Sequence, residues 1–364
     1  MTTRDRPVVL VTGGAGFIGS ALSHRLQGSG ADVVVLDNLH PQIHPDRTRP
    51  QELAPDADLI VGDVTELEPW SLLEERAPDV VVHLAAETGT GQSLTEATRH
   101  GSVNVVGTTR LIDALSHRGI TPKHMILASS RAVYGEGRWR TGRGEVFYPG
   151  PRDHAQLAAS QWACPGPDGS AATGLPSSAA STIPAPTSVY GATKLAQEHV
   201  LRAWCVANGT KLSVLRLQNV YGPGQSLTNS YTGIVTLFSR IARERGQVEL
   251  YEDGEVVRDF VYIDDVADAL HAAYLAPPQA GHRVLDVGTG TATTIRELAQ
   301  KLADYHGAPT PEVSGRFRDG DVRHAACDIT DTLATLDWAP RWTLERGLIA
   351  LQDWIAARSS SSVA

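Results

Sequence analysis

Gly13, Gly16 and Gly19 stand between an apolar, β-branched run at 8–11 and a helical pattern that opens at Phe17 and Ile18. This spacing admits few local folds other than a strand turning sharply into a helix. Gly13 allows a backbone turn that a Cβ would obstruct. Gly16 lets the main chain come close to a ligand, and Gly19 lets the new helix pack tightly on its strand. The amides at that helix start have no partner within the helix, so they can bind a pyrophosphate. A lone glycine pattern is weak evidence. Its place after a strand, before a helix and at the head of an α/β alternation makes it specific.

The second apolar run, Asp32-Val-Val-Val-Leu36, ends in Asp37, with Asn38 beside it. An acidic side chain roughly 20 residues beyond the glycines binds the adenosine ribose hydroxyls of a dinucleotide. A carboxylate there also repels the extra phosphate of NADP, so NAD is the expected cofactor. Arg47 and Arg49 lie in a proline-rich stretch well past this strand.

Further strands are predicted at 59–61, 80–84, 125–128 and 212–217, with helices at 18–27, 67–75, 103–117 and 192–207. This alternation predicts an α/β fold, a doubly wound parallel (Rossmann) sheet covered on both faces. The sheet domain is expected over 1–218 with return segments near 258–288. A smaller C-terminal substrate-binding lobe is expected from 219–257 and 289–355. Ligands of such sheets bind at the carboxyl ends of strands, where Gly13, Asp37, Asp63, Ala85 and Ser130 fall. Residues 137–187, rich in Gly, Pro, Ser and Ala, are expected to form a long surface loop, disordered in part. Residues 356–364 are expected to be a disordered tail. Trp338, Trp342 and Trp354 are expected to be packing residues.

The 364 residues carry a net charge of −9 with no basic cluster, which argues against nucleic acid as a partner. The first apolar run is too short for a membrane span or a signal peptide. Three cysteines, Cys164, Cys205 and Cys327, have neither metal-ligand spacing nor the density of a disulfide framework. No metal is expected, and a reducing, cytoplasmic setting fits.

Tyr190-Gly-Ala-Thr-Lys194 places a phenol and an ammonium on one helical face. A phenol titrates near ~10, and moving it to about 7 takes about 4 kcal/mol of differential stabilisation. A fixed cation and a positively charged nicotinamide both favour the phenolate. Lys194 can also hold the nicotinamide ribose. Ser130, at the end of the 125–128 strand, can hydrogen-bond the same substrate oxygen that Tyr190 protonates or deprotonates. An isolated Tyr-x-x-x-Lys pair is common by chance, and the surrounding motifs give this one its weight.

Together these residues resemble the extended short-chain dehydrogenase/reductases that act on nucleotide sugars. The resemblance spans nearly the whole chain. It is carried by Thr12-Gly-Gly-Ala-Gly-Phe-Ile-Gly19, Gly62-Asp63-Val64, His83-Leu-Ala-Ala86, Ser129-Ser130, Tyr190-x-x-x-Lys194, Arg216-Leu-Gln-Asn219 and Arg258-Asp-Phe-Val261. It implies a bound NAD, with Asp63 and Val64 near the adenine and Leu84, Ala85 and Ala86 beside the cofactor. It gives Ser130, Tyr190 and Lys194 the catalytic roles. Asn219, Arg258, Arg318 and Asp321 are implied as contacts to a nucleoside diphosphate, with Arg131 and Arg323 as further substrate contacts. Arginines suit a diphosphate because they make forked, charge-assisted bonds. A homodimer is implied, built through the helices near 95–117 and 190–207.

Members of that family begin by removing hydride from sugar C4. The 4,6-dehydratases carry an Asp-Glu pair after the catalytic hydroxyl residue. Here Arg131-Ala132 stands instead, which disfavours dehydration, and decarboxylation likewise. A 4-epimerase needs no such group, because the ketone turns over and receives hydride on its other face. Four stretches, Glu87–Ser93, Ser130–Glu136, Lys194–Glu198 and Gln218–Gln225, are similar to the branch containing the dTDP-L-rhamnose 4-epimerases. A 4-keto-sugar reductase and a catalytically silent NAD-binding protein are the competing readings. Thr88 and Ser93 either line the sugar pocket or form a turn that starts the next helix. His83 is expected to be a satisfied core histidine.

Overall fold

A computed structural model describes residues 6–227, 233–279 and 281–361, with side chains through Arg358. The main sheet contains β1 (Val8–Thr12), β2 (Asp32–Asp37), β3 (Asp58–Val61), β4 (Val80–His83), β5 (His124–Ser130), β6 (Lys211–Leu217) and β7 (His282–Val287). All pair in parallel, in the order β7-β6-β5-β4-β1-β2-β3. The six strands read from sequence are present. β7, from the return segment, completes the edge. The winding reverses between β1 and β4, and their carboxyl ends frame a crevice there.

Burial on both faces explains the unbroken apolar runs. On β1, Val8 and Leu10 join Leu36, Leu111, Leu115 and Leu201 in one layer. Val9 and Val11 join Leu22, Leu26, Val266 and Leu270 in the other. The covering helices are α1 (Phe17–Gly28), α2 (Gly107–His117), α3 (Val189–Asn208) and α4 (Ile263–Leu275). The helical stretch ahead of α2 begins earlier than predicted. A short helix at Ala97–His100 and a wide π-helical turn at Gly101–Val106 precede it, and Gly101-Ser102 hid them from the periodicity. The predicted helix at 67–75 is a tight 3-10 turn at Glu68–Ser71 followed by Leu72–Glu75.

The lobe has its own core, with Phe238, Leu250, Phe260, Leu298, Leu302 and Leu351 among its members. Phe17 and Ile18 at the start of α1 pack against it, so the lobe stands over the glycine loop. Trp338 is buried in the sheet core and donates to the Asp265 carbonyl (2.8 Å), while Trp342 stacks on Tyr262 at 4.0 Å. Two expectations need correction. The helix Leu344–Ser361 runs through most of the expected tail, and 362–364 lie outside the described residues. The expected surface loop at 137–187 is folded: Trp139–Thr141 pairs with Val146–Phe147 and Ala172–Gly174, and His154–Ala158 is helical. Its strands are too short to show a period, and distant side chains hold it in place.

Sheet and lobe meet at Asp259. Its carbonyl accepts from Asn219 N (3.0 Å), and its carboxylate accepts from Thr289 N, Thr289 Oγ1 and Gly290 N at 2.7–3.1 Å. Gln218 N donates to Val287 O alongside (2.9 Å). Three passages of chain between sheet and lobe are thus bound together.

α1 depends on close approach. A Cβ on Gly19 would stand 2.4 Å from the Gly14 Cα. Gly19→Ala is expected to cost about 1–3 kcal/mol through overpacking, with loss of co-purifying NAD. Thermal unfolding and the nucleotide content of denatured protein check both.

Candidate active site

The glycine loop forms as its spacing requires. Gly13 has a φ of 67°, and a Cβ there would lie 2.6 Å from the Ala85 amide nitrogen. The following helix is capped by Gly16 with no side-chain hydrogen bond and has no acid in its first turn. Its leading amides therefore remain available to an anion. Asp37 lies at the β2 end, its carboxylate accepting from Ala15 N (3.0 Å) and Leu39 N (2.9 Å). Asn38 donates to Asp63 (2.8 Å), and Thr65 donates twice to the same carboxylate. Burial raises the Asp63 pKa, but these hydrogen bonds outweigh it and hold the group below the usual range.

Gly13, Ala15, Asp37, Asn38 and Asp63 line one cleft of about 850 Å³ that also includes Gly16, Phe17, Ile18, Gly19, Val64, Leu84, Ala85, Ala86 and Thr88. Trp354 and Arg358 of the lobe help line it. A backbone cradle that a Cβ would fill, uncapped helix amides and an acid at the second strand end fit an NAD. Arg49 is spent on the Ala54 and Ala57 carbonyls (2.5 and 2.9 Å), which leaves it no role with a ribose phosphate.

Ser130, Tyr190 and Lys194 lie just beyond this lining, which ends at Thr88, Val103 and Ala128. Glu87 of the cleft connects to them through Asn104. That side chain accepts from Glu87 N (2.7 Å) and donates to Thr193 Oγ1 (2.9 Å), next to Lys194. Tyr190 is half-buried with Ser130 beside it, and the His100 ring packs edge-on at 6.4 Å. Burial pushes the phenol up, while the Ser130 hydrogen bond and the Arg131 charge pull it back. Arg131 is thus one cation acting on the phenol, in addition to the Lys194 to which the sequence pointed. Buried Lys194 is itself brought down to about 7, with Glu198 opposing that shift.

Arg131 donates to Asn219 Oδ1 (2.9 Å) and is pushed down to about 9 by burial and by Arg258. Arg258 in turn pairs with Asp321 at 2.5 Å. Tyr190, Arg131, Asn219, Arg258 and Asp321 therefore form one charged cluster. Arg318 stands apart, with its guanidinium 5.1 Å from the Tyr251 ring centroid. Arg323 does not join the cluster: both ends of its guanidinium bond Asp253 and one bonds Glu252, so it is a structural tie. Ser93 is buried and donates to Thr90 O (2.7 Å), so it serves the turn, while Thr88 faces the cleft. His83 is satisfied between Thr12 (2.6 Å) and Thr108 (2.9 Å), and burial with nearby Lys194 pushes it down to about 3.

Sequence reasoning missed the layer behind the catalytic strand. Ser129 donates to Glu198 at 2.5 Å, and Arg216 grips the same carboxylate at 3.0 and 2.7 Å. Arg216 lies over the Tyr134 ring, whose hydroxyl donates to Asp286 at 2.7 Å. The available signal was a charge inside each apolar strand: Arg216 in β6 and Asp286 in β7.

The sequence matches the NAD dependent epimerase/dehydratase family over residues 9–155 and 156–288. The chain belongs to that family. It is 60% identical over 353 residues to the dTDP-L-rhamnose 4-epimerase of Burkholderia thailandensis, covering 97% of this chain and 96% of that one. The UDP-glucose 4-epimerase of Thermotoga maritima, solved with UDP-glucose, is similar with a TM-score of 0.78 and 29% identity over 97% of this chain and 99% of its own. The Thermus thermophilus UDP-glucose 4-epimerase, solved with NAD, gives 0.73 and 28% over 96% and 99%. As a family member the chain uses NAD.

Burial raises the Asp286 carboxyl to about 7, against its hydrogen bonds from Tyr134 and Ala179 N. In the unfolded chain it titrates near ~3.9. A raised folded pKa stabilises the fold below the unfolded value, and that contribution is lost as pH rises through about 7. Urea unfolding of wild type and Asp286→Asn at pH 5 and pH 8 is expected to show wild type losing on the order of 1–4 kcal/mol relative to the variant. A pH-independent difference would mean a carboxylate ionised throughout.

Proposed function

We propose that this chain is a nucleotide-sugar 4-epimerase acting on dTDP-L-rhamnose. The observation that carries this reading is the placement of Tyr190 beside the Ser130–Arg131 strand end, with Arg131 where a dehydratase would need an acid. The carboxylates near it are already engaged: Glu136 with Arg152, Asp321 with Arg258, and Glu198 with Arg216. None is poised to remove water across C5 and C6. The identity to a relative named dTDP-L-rhamnose 4-epimerase supports the choice of substrate.

In this reading, Ser130 orients the C4 oxygen. Tyr190 takes the hydroxyl proton during oxidation and returns it when the other face is reduced. NAD, when bound, accepts hydride from C4 and gives it back. Lys194 holds the nicotinamide ribose, and Arg131 with Ser130 favours the phenolate. Asn219, Arg258 and Asp321 bind the nucleoside diphosphate, with Arg318 at its far side. Asp37, Asn38, Asp63 and Val64 take the adenosine half of NAD.

A homodimer through the 95–117 and 190–207 helices is part of this proposal. Val106 and Val206 are exposed there, with Leu94 exposed just ahead of them, as a helix-on-helix interface requires. A cytoplasmic setting is proposed from the cysteines, all three of which are buried and unpaired. Among the described residues no helix is long and apolar enough to cross a membrane.

NMR of the purified protein with dTDP-L-rhamnose and no added cofactor is expected to show the C4 epimer. Tyr190→Phe is expected to lower kcat by about 10²–10⁴-fold. Stoichiometric loss of NADH absorbance on supplying a 4-keto sugar, with no epimer formed, would make the enzyme a reductase.

A further inference from the structure

Arg152 belongs to the 137–187 insert, yet its side chain is only 2% exposed. A buried cation needs partners for every donor direction, and this one has them. Nε donates to Glu136 (2.9 Å), Nη1 to Glu252 (2.8 Å) and the Trp162 carbonyl (3.1 Å), and Nη2 to the Asp321 carbonyl (3.0 Å). Burial works against its charge, but the two carboxylates hold the guanidinium firmly ionised. The same carboxylates accept from Arg323, through its amide and its guanidinium.

The rest of the insert grips the same stretch of lobe. His154 pairs with Asp319 at 3.1 Å and packs edge-on against Phe317, its centroid 5.4 Å away. Trp162 leans on that ring from 6.2 Å. Thr187, at the insert's end, donates to the Gly320 carbonyl at 3.3 Å. Phe317, Asp319, Gly320 and Asp321 are therefore all held from one side. This segment carries Arg318, and its last member, Asp321, holds Arg258.

We propose that the insert is a clamp on residues 317–321, and that Arg152 is a positioning residue for the nucleoside diphosphate part of the substrate. It acts through the Asp321 main chain on the Asp321–Arg258 pair and touches neither phosphate nor sugar. The proposal rests on the nucleotide-sugar reading above. The NAD cradle is built from the glycine loop and the β2 and β4 ends, so the clamp governs substrate affinity and leaves cofactor binding alone.

The test is calorimetric titration of dTDP into the NAD-loaded enzyme, with epimerase kinetics alongside. Arg152→Met is expected to weaken dTDP binding tenfold or more and to raise KM similarly. NAD content should be unchanged and kcat should stay within threefold. Arg152→Lys should recover part of the loss, since an ammonium can serve one or two of the four acceptors. If Arg152→Met does not fold, the paired variant His154→Ala/Thr187→Val loosens the clamp from its rim and is expected to weaken dTDP binding twofold to fivefold. Wild-type dTDP affinity in whichever of these variants folds, or a fall in kcat with KM unchanged, would overturn the proposal, as would a wild-type enzyme that binds neither dTDP nor UDP. A wild-type enzyme that binds dTDP without epimerising dTDP-L-rhamnose would refute the assigned reaction and leave the clamp to be judged on dTDP affinity.

Discussion

The Glu198–Arg216 ion pair ties the helix that carries Tyr190 and Lys194 to the strand next to Ser130. It is buried and two-pronged, so it sets both distance and angle. Ser129 adds a third bond to the same carboxylate. Successive strand residues point to opposite sides. Ser129 is thus turned back towards the helix anchor, while its neighbour Ser130 meets the Tyr190 phenol. Two adjacent serines divide the work: one holds the helix in place and, in the proposed reaction, the other faces the C4 oxygen. Glu198 lies one helical turn beyond Lys194, so the anchor also supplies the charge that opposes the lysine's loss of its proton.

The carboxylates around the site also set a limit on reactivity. A carboxylate whose oxygens are taken up by an arginine is not free to face a substrate. Glu136, Glu198 and Asp321 each have such a partner. In the proposed reaction, the groups left to move a proton at the reacting oxygen are Tyr190 and its neighbour Ser130. A single acid–base group suits a reaction that removes and restores the same proton.

The sheet and the cofactor cradle were legible in the sequence because both follow from local rules. Runs buried on two faces are continuous in Val and Leu, and glycines mark where backbone meets backbone. The nearness of Tyr190 and Lys194 was legible because they lie one helical turn apart on one helix. The insert was not. Its order rests on Arg152 meeting Glu136, Glu252 and Asp321, up to 169 positions away, and no local pattern announces such a meeting. Arg323 was misjudged for a related reason. The sequence shows an arginine near the substrate segment, but only the fold shows Asp253 and Glu252 already occupying it. The sequence couples Lys194 to the Tyr190 phenol, and the fold adds Arg131 as a second charge that lowers it. Proximity along a helix is visible in a sequence, whereas burial of the ammonium is not.

Asp259 gathers three strands of connection between floor and roof into one knot. Such a knot resists hinge motion, because opening would strip a buried carboxylate of several donors at once. A sugar ring that must present first one face and then the other therefore cannot rely on the walls parting around it. The room for that half-turn has to be built in as standing space, and the enclosure works like a bearing housing in which only the ligand rotates.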